Sequence, residues 1–313
     1  MDTFSHMLIA FLLVGKFDIT LGVFAGFMAL FLDLDVLLFP LAKKYPVLEH
    51  RGITHSIPAT LIYTTVISTI FTLITGLNFL LVLGAGLTGS LMHILGDSIT
   101  TYGLGAFWPF RKKYIKLDII LGIDPLLIII SIPSLLLFHV SYQTNDFIMF
   151  NTIFFIAGVY LITYVLIRLI LKLTIYFKFK TKSLPTLNWF KFTLISESVL
   201  KKGDYEYKEL QWQKYNLITK NFSPKRTFLF PKINPAPPLA TDDQLIAYSH
   251  KLKPVQRIFR PIFYHICEII RRTKAEAQLF WSSVEHEYMG ALVSLKRDGT
   301  YKFERIYPYK RVK

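Results

Sequence analysis

The sequence holds one cysteine, Cys267, in 313 residues. That excludes an intrachain disulfide and any structural zinc cluster built on several thiolates, and it agrees with a reducing compartment. Charge is also scarce: 18% of the residues are Asp, Glu, Lys or Arg against 52% hydrophobic, with a mean hydropathy of +0.41. An ordinary soluble domain carries about 25% charged residues, so these values point to a membrane protein with something attached. No cleavable export signal is expected either. Asp2 stands where a basic flank belongs, and Lys16 follows the short apolar run 7–14 where small residues would mark a cleavage site, so residue 1 is expected to be the mature start. There is no internal repeat, and no nucleic-acid-binding motif accompanies the positive charge, so no nucleic-acid partner is expected.

The charge that is present is unevenly placed. Residues 1–171 hold 9 Lys/Arg against 9 Asp/Glu, and residues 172–313 hold 27 against 12, so the net +15 sits in the second part. The expected fold class is an all-α polytopic membrane domain, a helical bundle over 1–175, followed by a small basic α+β cytoplasmic domain over 176–313. A basic domain tethered to a membrane segment is drawn to anionic lipid headgroups, about 1 kcal/mol for each Lys or Arg near the surface.

Residues 3–15 and 19–32 are apolar but shorter than the roughly 20 needed for a perpendicular crossing, and read as a tight helical hairpin, tilted or dipping. Residues 36–49 form a loop broken by Pro40 and Pro46. Residues 57–75 and 79–95 are two spans, the second running on through His93 and Asp97 to a stop near Gly103. Trp108-Pro109-Phe110 with Arg111-Lys112-Lys113 reads as an interfacial anchor, and 119–139 and 147–171 are the last spans. Tracing the crossings puts Lys43, Lys44, Arg51, Arg111 to Lys113, Lys116 and Lys172 on one side and Lys16 alone on the other. The positive-inside rule therefore makes the chain a multi-pass protein of the plasma or inner membrane with its polar cluster and second domain in the cytoplasm. Beyond 180, alternating segments at 205–217 and 301–307 read as strands, Asp298-Gly299 as a turn, Pro235, Pro237 and Pro238 as a loop, and 255–272 as a helix.

Chemistry gathers in a few places within this apolar half. His93 and Asp97, four apart on a helix, lie about 5–6 Å apart on one face. Asp33 and Asp35 would diverge by about 200° on a helix, whereas extended backbone past a helix end puts both on one face. His50-Arg51-Gly52-Ile53-Thr54-His55-Ser56 carries two imidazoles that could wrap one or two ions and a planar cation suited to phosphate, with Ser56 able to cap the helix after it. Each piece alone has a bland reading: a packed histidine, a solvated helix end, an interfacial loop. The hairpin topology returns His6, Asp33, Asp35, His50, His55, His93 and Asp97 to one membrane side, and unrelated structural roles do not predict that convergence. Histidine and carboxylate without thiolate suit Zn²⁺, with Mn²⁺ or Fe as alternatives, and one or two ions. With Arg51 alongside, the chemistry that fits is metal-assisted hydrolysis of a phosphoester.

Asp33-x-Asp35, the HRGITHS run at 50–56, His93-x-x-x-Asp97 followed by Thr101-Tyr102-Gly103, then Trp108-Pro109-Phe110 and Asp124-Pro125 together resemble the YdjM-like family of membrane-bound metal-dependent hydrolases. Asp2-Thr3-x-x-His6 and the basic extension make the chain most similar to its YfhP-type branch. The likeness covers roughly residues 1–130, and the family resembles more remotely the zinc phospholipase C and P1 nuclease fold. The resemblance implies a phosphoester substrate, metal ligands at His6, Asp33, Asp35, His50, His55, His93 and Asp97, and supporting positions at Arg51, Thr54 and Asp124. The function expected is a membrane-embedded hydrolase of a lipid or other phosphoester at the cytoplasmic interface. His93, Asp97, Asp35 and His55 carry the ligand roles, Asp33 acts as general base, Arg51 holds the phosphate and Thr54 assists. The alternative is a non-catalytic membrane protein with a structural or regulatory metal site and a partner-recruiting basic domain; a metal or proton transporter is disfavoured because the carboxylates sit near span ends.

Overall fold

The computed structural model describes residues 1–38, 51–111, 114–202, 205–232, 239, 241–259, 265–273, 275–283 and 290–306. They divide into two units, Met1–Thr174 and Ile175–Lys313.

The first unit is helical. It comprises α1 (Thr3–Val14), α2 (Ile19–Asp33), α3 (Ile57–Thr75), α4 (Phe79–Ser98), α5 (Pro125–Gln143) and the long α6 (Phe147–Phe179), whose last turn enters the second unit. Five described segments are long and apolar enough to cross a membrane: Ile19–Leu37, α3, α4, α5 and α6. The chain is a multi-pass membrane protein. Its helix starts follow local capping: Asp18 accepts from Leu21 N at 2.9 Å, Asn78 from Leu80 N at 2.9 Å, and Asp124 from Leu126 N with Pro125 at the first helical position. Against lipid there is no hydrophobic drive between helices, so small residues and hydroxyl pairs join them. A Cβ added to Gly89 on α4 would lie 2.0 Å from the Ala25 carbonyl oxygen of α2, which is how closely those two helices run. Thr64 and Ser90 share a hydrogen bond of 2.9 Å between α3 and α4, and Ser5 and Ser131 one of 2.9 Å between α1 and α5.

Several boundaries differ from the sequence reading. The second apolar stretch is not short: α2 continues through a 3-10 turn at Leu34–Leu38, giving 19 residues, while α1 stays too short to cross. Asp35 therefore sits in a 3-10 turn rather than on extended backbone. The span expected from 119 begins at Pro125, because Asp124 caps it and residues 119–120 pair instead with the end of α4, Ile119 N donating to Ile99 O at 2.8 Å. The loop expected around Pro40 and Pro46 falls mostly outside the described residues.

The second unit holds two four-stranded antiparallel meanders, each with neighbours in chain order: β1 (Lys182–Pro185), β2 (Lys191–Lys202), β3 (Tyr205–Asn216) and β4 (Arg226–Pro231), then β5 (His265–Arg272), β6 (Glu276–Ser283), β7 (Gly290–Lys296) and β8 (Tyr301–Ile306). Between them lie α7 (Asp242–Lys251) and α8 (Lys253–Phe259). Tyr207 of β3 donates to Asp243 at 2.6 Å and Trp281 of β6 to Ser249 at 3.1 Å, so α7 holds both sheets. The helix expected over 255–272 is a correction: its second part is strand β5, paired residue by residue with β6 and carrying a bulge between Ile269 and Arg271. That bulge shifts the alternation by one residue and so breaks the period-2 pattern. The loop at Pro235, Pro237 and Pro238 lies outside the described residues.

One charged cluster ties α5 to α6. Tyr164 donates to Asp124, and Arg168 donates from Nε to the Tyr164 hydroxyl at 3.1 Å and from Nη2 to Asp124 Oδ2 at 3.4 Å, all three residues buried. Removing one partner from a buried pair strands the other charge. Arg168→Leu is expected to cost about 3–5 kcal/mol, read as a lowered thermal midpoint in detergent. Adding Asp124→Asn, which keeps a capping side chain, is expected to recover part of that loss.

Candidate metal centre

Four chain segments converge at one end of the first unit. Asp2, extended, caps α1 by accepting from Ser5 N at 2.9 Å, which sets His6 one turn inside the helix. Asp33 is the last residue of α2, and His93 and Asp97 lie one turn apart near the end of α4. The fourth segment is built by a left-handed residue, Arg51 at φ 63°, followed by a 3-10 turn at Ile53–His55. Ser56 then caps α3, accepting from Ala59 N at 3.4 Å. A strap from residues 104–106 holds this segment in place: Gly105 N donates to Arg51 O at 3.0 Å and Ile57 N to Ala106 O at 2.9 Å.

Four donor atoms face one another. His93 Nε2 stands 3.5 Å from Asp33 Oδ1 and 3.5 Å from Asp97 Oδ2; His55 Nε2 stands 3.9 Å from each of the same two oxygens. A tetrahedral ion with bonds of about 2.0–2.2 Å separates its ligands by about 3.3–3.6 Å, close to these edges. The donors are buried, with only Asp33 touched by solvent, its side chain 14% exposed. Asp97 Oδ2 and His93 Nε2 make no hydrogen bond among the described residues. Buried polar atoms are rarely left in that condition, and here both point into the same space.

The other side of each donor is held. His55 Nδ1 lies 3.0 Å from Asp35 Oδ2, and Thr54 donates to the same oxygen at 2.5 Å. Thr3 donates to Asp33 Oδ2 at 2.5 Å. Asp97 Oδ1 takes Arg51 Nη2 at 2.8 Å, the Met1 amino nitrogen at 2.5 Å and His6 Nε2 at 3.1 Å, which leaves Oδ2 for the cage. Thr100 accepts from Arg51 Nη1 at 3.1 Å and donates to the Asp97 carbonyl at 2.8 Å, and the guanidinium lies over the Tyr102 ring. His6 stacks on His93 with centroids 3.8 Å apart, and the possible ligands form two groups, Asp33 with His55 and His93, and His6 with His93 and Asp97, which share His93. Burial opposes charge on His55, yet the carboxylates of Asp33 and Asp35 beside it raise its imidazole to about 9.

Of the seven residues singled out by sequence, six are thus brought together, and His50 lies outside the described residues. Their roles separate. Asp35 stands behind His55 on its Nδ1 side rather than at Nε2, because the 3-10 turn sends Asp33 and Asp35 to opposite edges of one imidazole. Arg51, expected to meet phosphate, has Asp97, Thr100 and Tyr102 as its neighbours, and Thr54 serves Asp35. Asp124 belongs to the separate cluster with Tyr164 and Arg168. Sequence reasoning missed Thr3 and Thr100; a hydroxyl three residues before His6 or three after Asp97 is a signal too common to single out.

Residues 1–173 match the profile of the family described as YdjM inner membrane protein. The chain belongs to the YdjM family. Among curated proteins it is similar to "Uncharacterized protein YfhP" of Bacillus subtilis (strain 168), 31% identical over 144 residues. That stretch spans 46% of this chain and 42% of the relative, less than half of each. No solved structure matches. The YdjM match contains every cage residue and ends before β1, so the centre belongs to the family portion and the two sheets lie outside it.

The ring of His6 occupies space that any side chain at position 96 would fill. A Cβ on Gly96 would stand 2.8 Å from His6 Cε1 and 3.0 Å from Nδ1. Gly96→Ala is expected to displace that imidazole and cost about 1–3 kcal/mol, visible as a lower thermal midpoint, with Gly84→Ala, where a Cβ meets nothing within 4 Å, unaffected.

Proposed function

We propose that this protein is a metal-dependent hydrolase of the membrane interface, cleaving an ester at the cytoplasmic face, in first place the phosphoester of a lipid. The observation that carries the reading is the grouping of Asp33 Oδ1, His55 Nε2 and His93 Nε2, close enough together to hold one divalent ion, with Asp97 Oδ2 at 3.5 Å from His93 Nε2 and 3.9 Å from His55 Nε2 beside it. Two carboxylates and two imidazoles without thiolate favour Zn²⁺, with Mn²⁺ or Fe as alternatives. The chemistry such an ion supplies is Lewis acidity, which polarises an ester oxygen and brings the acidity of water toward neutral pH.

The chain's own groups divide the remaining work. Asp35 and Thr54 hold His55 in the tautomer that presents Nε2, as a carboxylate behind a ligating histidine does. Arg51 and Thr100 clamp Asp97 so that one oxygen alone faces the cage. Asp33 is the cage residue reached by solvent, and so is the group placed to accept a proton from water entering there. Arg51 acts through Asp97 in this arrangement rather than on substrate. The cytoplasmic orientation rests on the distribution of cations along the chain.

One observation favours a second reading. The donors are shut away from water except at Asp33, the setting of a structural ion, whereas catalytic zinc usually keeps a position open. In that case the centre ties α2, α4 and the Ile53–His55 turn together without turnover. Metal analysis and hydrolysis separate the two. The purified protein is expected to carry about one equivalent of divalent ion, lost in Asp97→Asn and His93→Gln, with Asp35→Asn binding about 10–100-fold more weakly. Chelation is expected to stop cleavage of a chromogenic phosphodiester and of labelled phospholipid, and zinc to restore it. A protein that carries the ion but cleaves no phosphoester or carboxyl ester in such a panel is the structural case; one that binds no ion at all sinks both.

A further inference from the structure

One end of the first sheet in the second unit has a composition unlike the rest of that sheet. The loop 186–190 between β1 and β2 and the turn 217–222 between β3 and β4 lie side by side, Leu217 N donating to Phe190 O at 2.7 Å. Their tips expose large apolar side chains: Leu187 is 70% exposed, Ile218 64% and Phe222 50%, with Phe190 beside them. The charges around them are Lys180, Lys191 and Lys220, all exposed. No Asp or Glu occurs from 175 to 196 or from 210 to 241. The carboxylates of the β2–β3 pair, Glu197, Glu206 and Glu209, lie further along the two strands, where they meet Lys208, Lys201 and Ser198.

The same end is fixed to the helix that leaves the bilayer. Phe179, the last residue of α6, packs its ring 4.8 Å from Tyr215 and 5.7 Å from Phe222, and Lys178 donates to the Tyr215 hydroxyl at 2.7 Å. At 1.5 Å per residue, the 33 residues of α6 extend about 50 Å, a little more than the roughly 40–45 Å of a bilayer with its headgroup layers. Even so, its last turn still exposes Tyr176 and Phe177. Apolar tips flanked along the chain by lysine and by no carboxylate, beside the end of a membrane-spanning helix, have the make-up of a headgroup-layer anchor.

We propose that the loops 186–190 and 217–222 form a membrane-docking edge: Leu187, Phe190, Ile218 and Phe222 enter the boundary of the leaflet from which α6 emerges, and Lys180, Lys191 and Lys220 pair with anionic headgroups. The occupant is a lipid surface, since lysine without carboxylate complements phosphate-bearing headgroups and α6 tethers the edge beside them. This inference is independent of the metal centre.

The test uses the full chain in nanodiscs of phosphatidylcholine, with and without phosphatidylglycerol. A polarity-sensitive fluorophore is placed at Leu187→Cys, at Ile218→Cys and, as control, at Val199→Cys, which is 56% exposed elsewhere on β2; the native Cys267 is buried. Labels at 187 and 218 are expected to shift to the blue and to be quenched by nitroxide-bearing lipids, more strongly with phosphatidylglycerol, while 199 stays water-like. Lys180→Ala, Lys191→Ala and Lys220→Ala are each expected to weaken docking about fivefold in phosphatidylglycerol discs. Labels at 187 and 218 as wet as 199 in both lipids overturn the proposal. So does a blue shift that nitroxide lipids leave unquenched, because a protein surface would then cover the edge.

Discussion

A carboxylate buried at the end of an apolar helix stays ionised only if positive charge reaches it, and Asp97 is where that constraint falls. Its side chain has no exposure, and the desolvation of such a group amounts to several kcal/mol. Three nitrogens from three parts of the chain answer it at one oxygen: Arg51 from the turn before α3, His6 from α1 and the Met1 amino group ahead of α1. Each fixes a backbone segment in turn. The left-handed conformation at Arg51 lets its guanidinium turn back to α4, and the strap at 104–106 then bonds to the same residue's carbonyl. Without Asp97, the start of α1, the 51–56 turn and the strap would lose their common point of attachment.

Because three nitrogens take up Oδ1, Oδ2 is left to face the cage. The same division recurs at the neighbouring groups. Asp33 gives Oδ2 to Thr3 and Oδ1 to the cage; His55 gives Nδ1 to Asp35 and Nε2 to the cage. Second-layer contacts of this kind select which atom of a bidentate or two-nitrogen side chain a bound ion meets, and they set its orientation before any ion arrives. A solvated cluster of acids and histidines would show no such asymmetry.

Much of this was legible in the sequence, for physical reasons that can be named. Burial of polar residues in apolar runs is expensive, so His93 and Asp97 at helical spacing, and Asp33-x-Asp35 among leucines, announced themselves through their setting. Connectivity then brought them to one end of the helical unit. Roles were less legible, because they depend on turn type: a 3-10 turn after Asp33 sends Asp35 to the far edge of His55, where an extended strand would have placed both carboxylates together. The positive φ at Arg51 is a backbone property that an arginine in sequence does not advertise, and it sets the guanidinium against Asp97. Strand β5 was hidden for a similar reason, since its bulge at Ile269 and Arg271 erases the alternation that would have revealed it.

The edge proposed for the second unit raises a different physical question, how few contacts would suffice to hold it on a bilayer. Four apolar tips and three lysines would give a free protein only modest affinity, about 1 kcal/mol for each cation. A tether changes the comparison. α6 enters this unit and ends in contact with Tyr215 and Phe222, so docking at the proposed edge would be intramolecular, with an effective concentration set by the helix rather than by the cell. Under that condition a weak edge is enough to bias orientation, and a stronger one would bring little further gain. The absence of carboxylates from 175 to 196 and from 210 to 241 is then the informative feature, because an acidic residue among those loops would cancel part of a small positive charge.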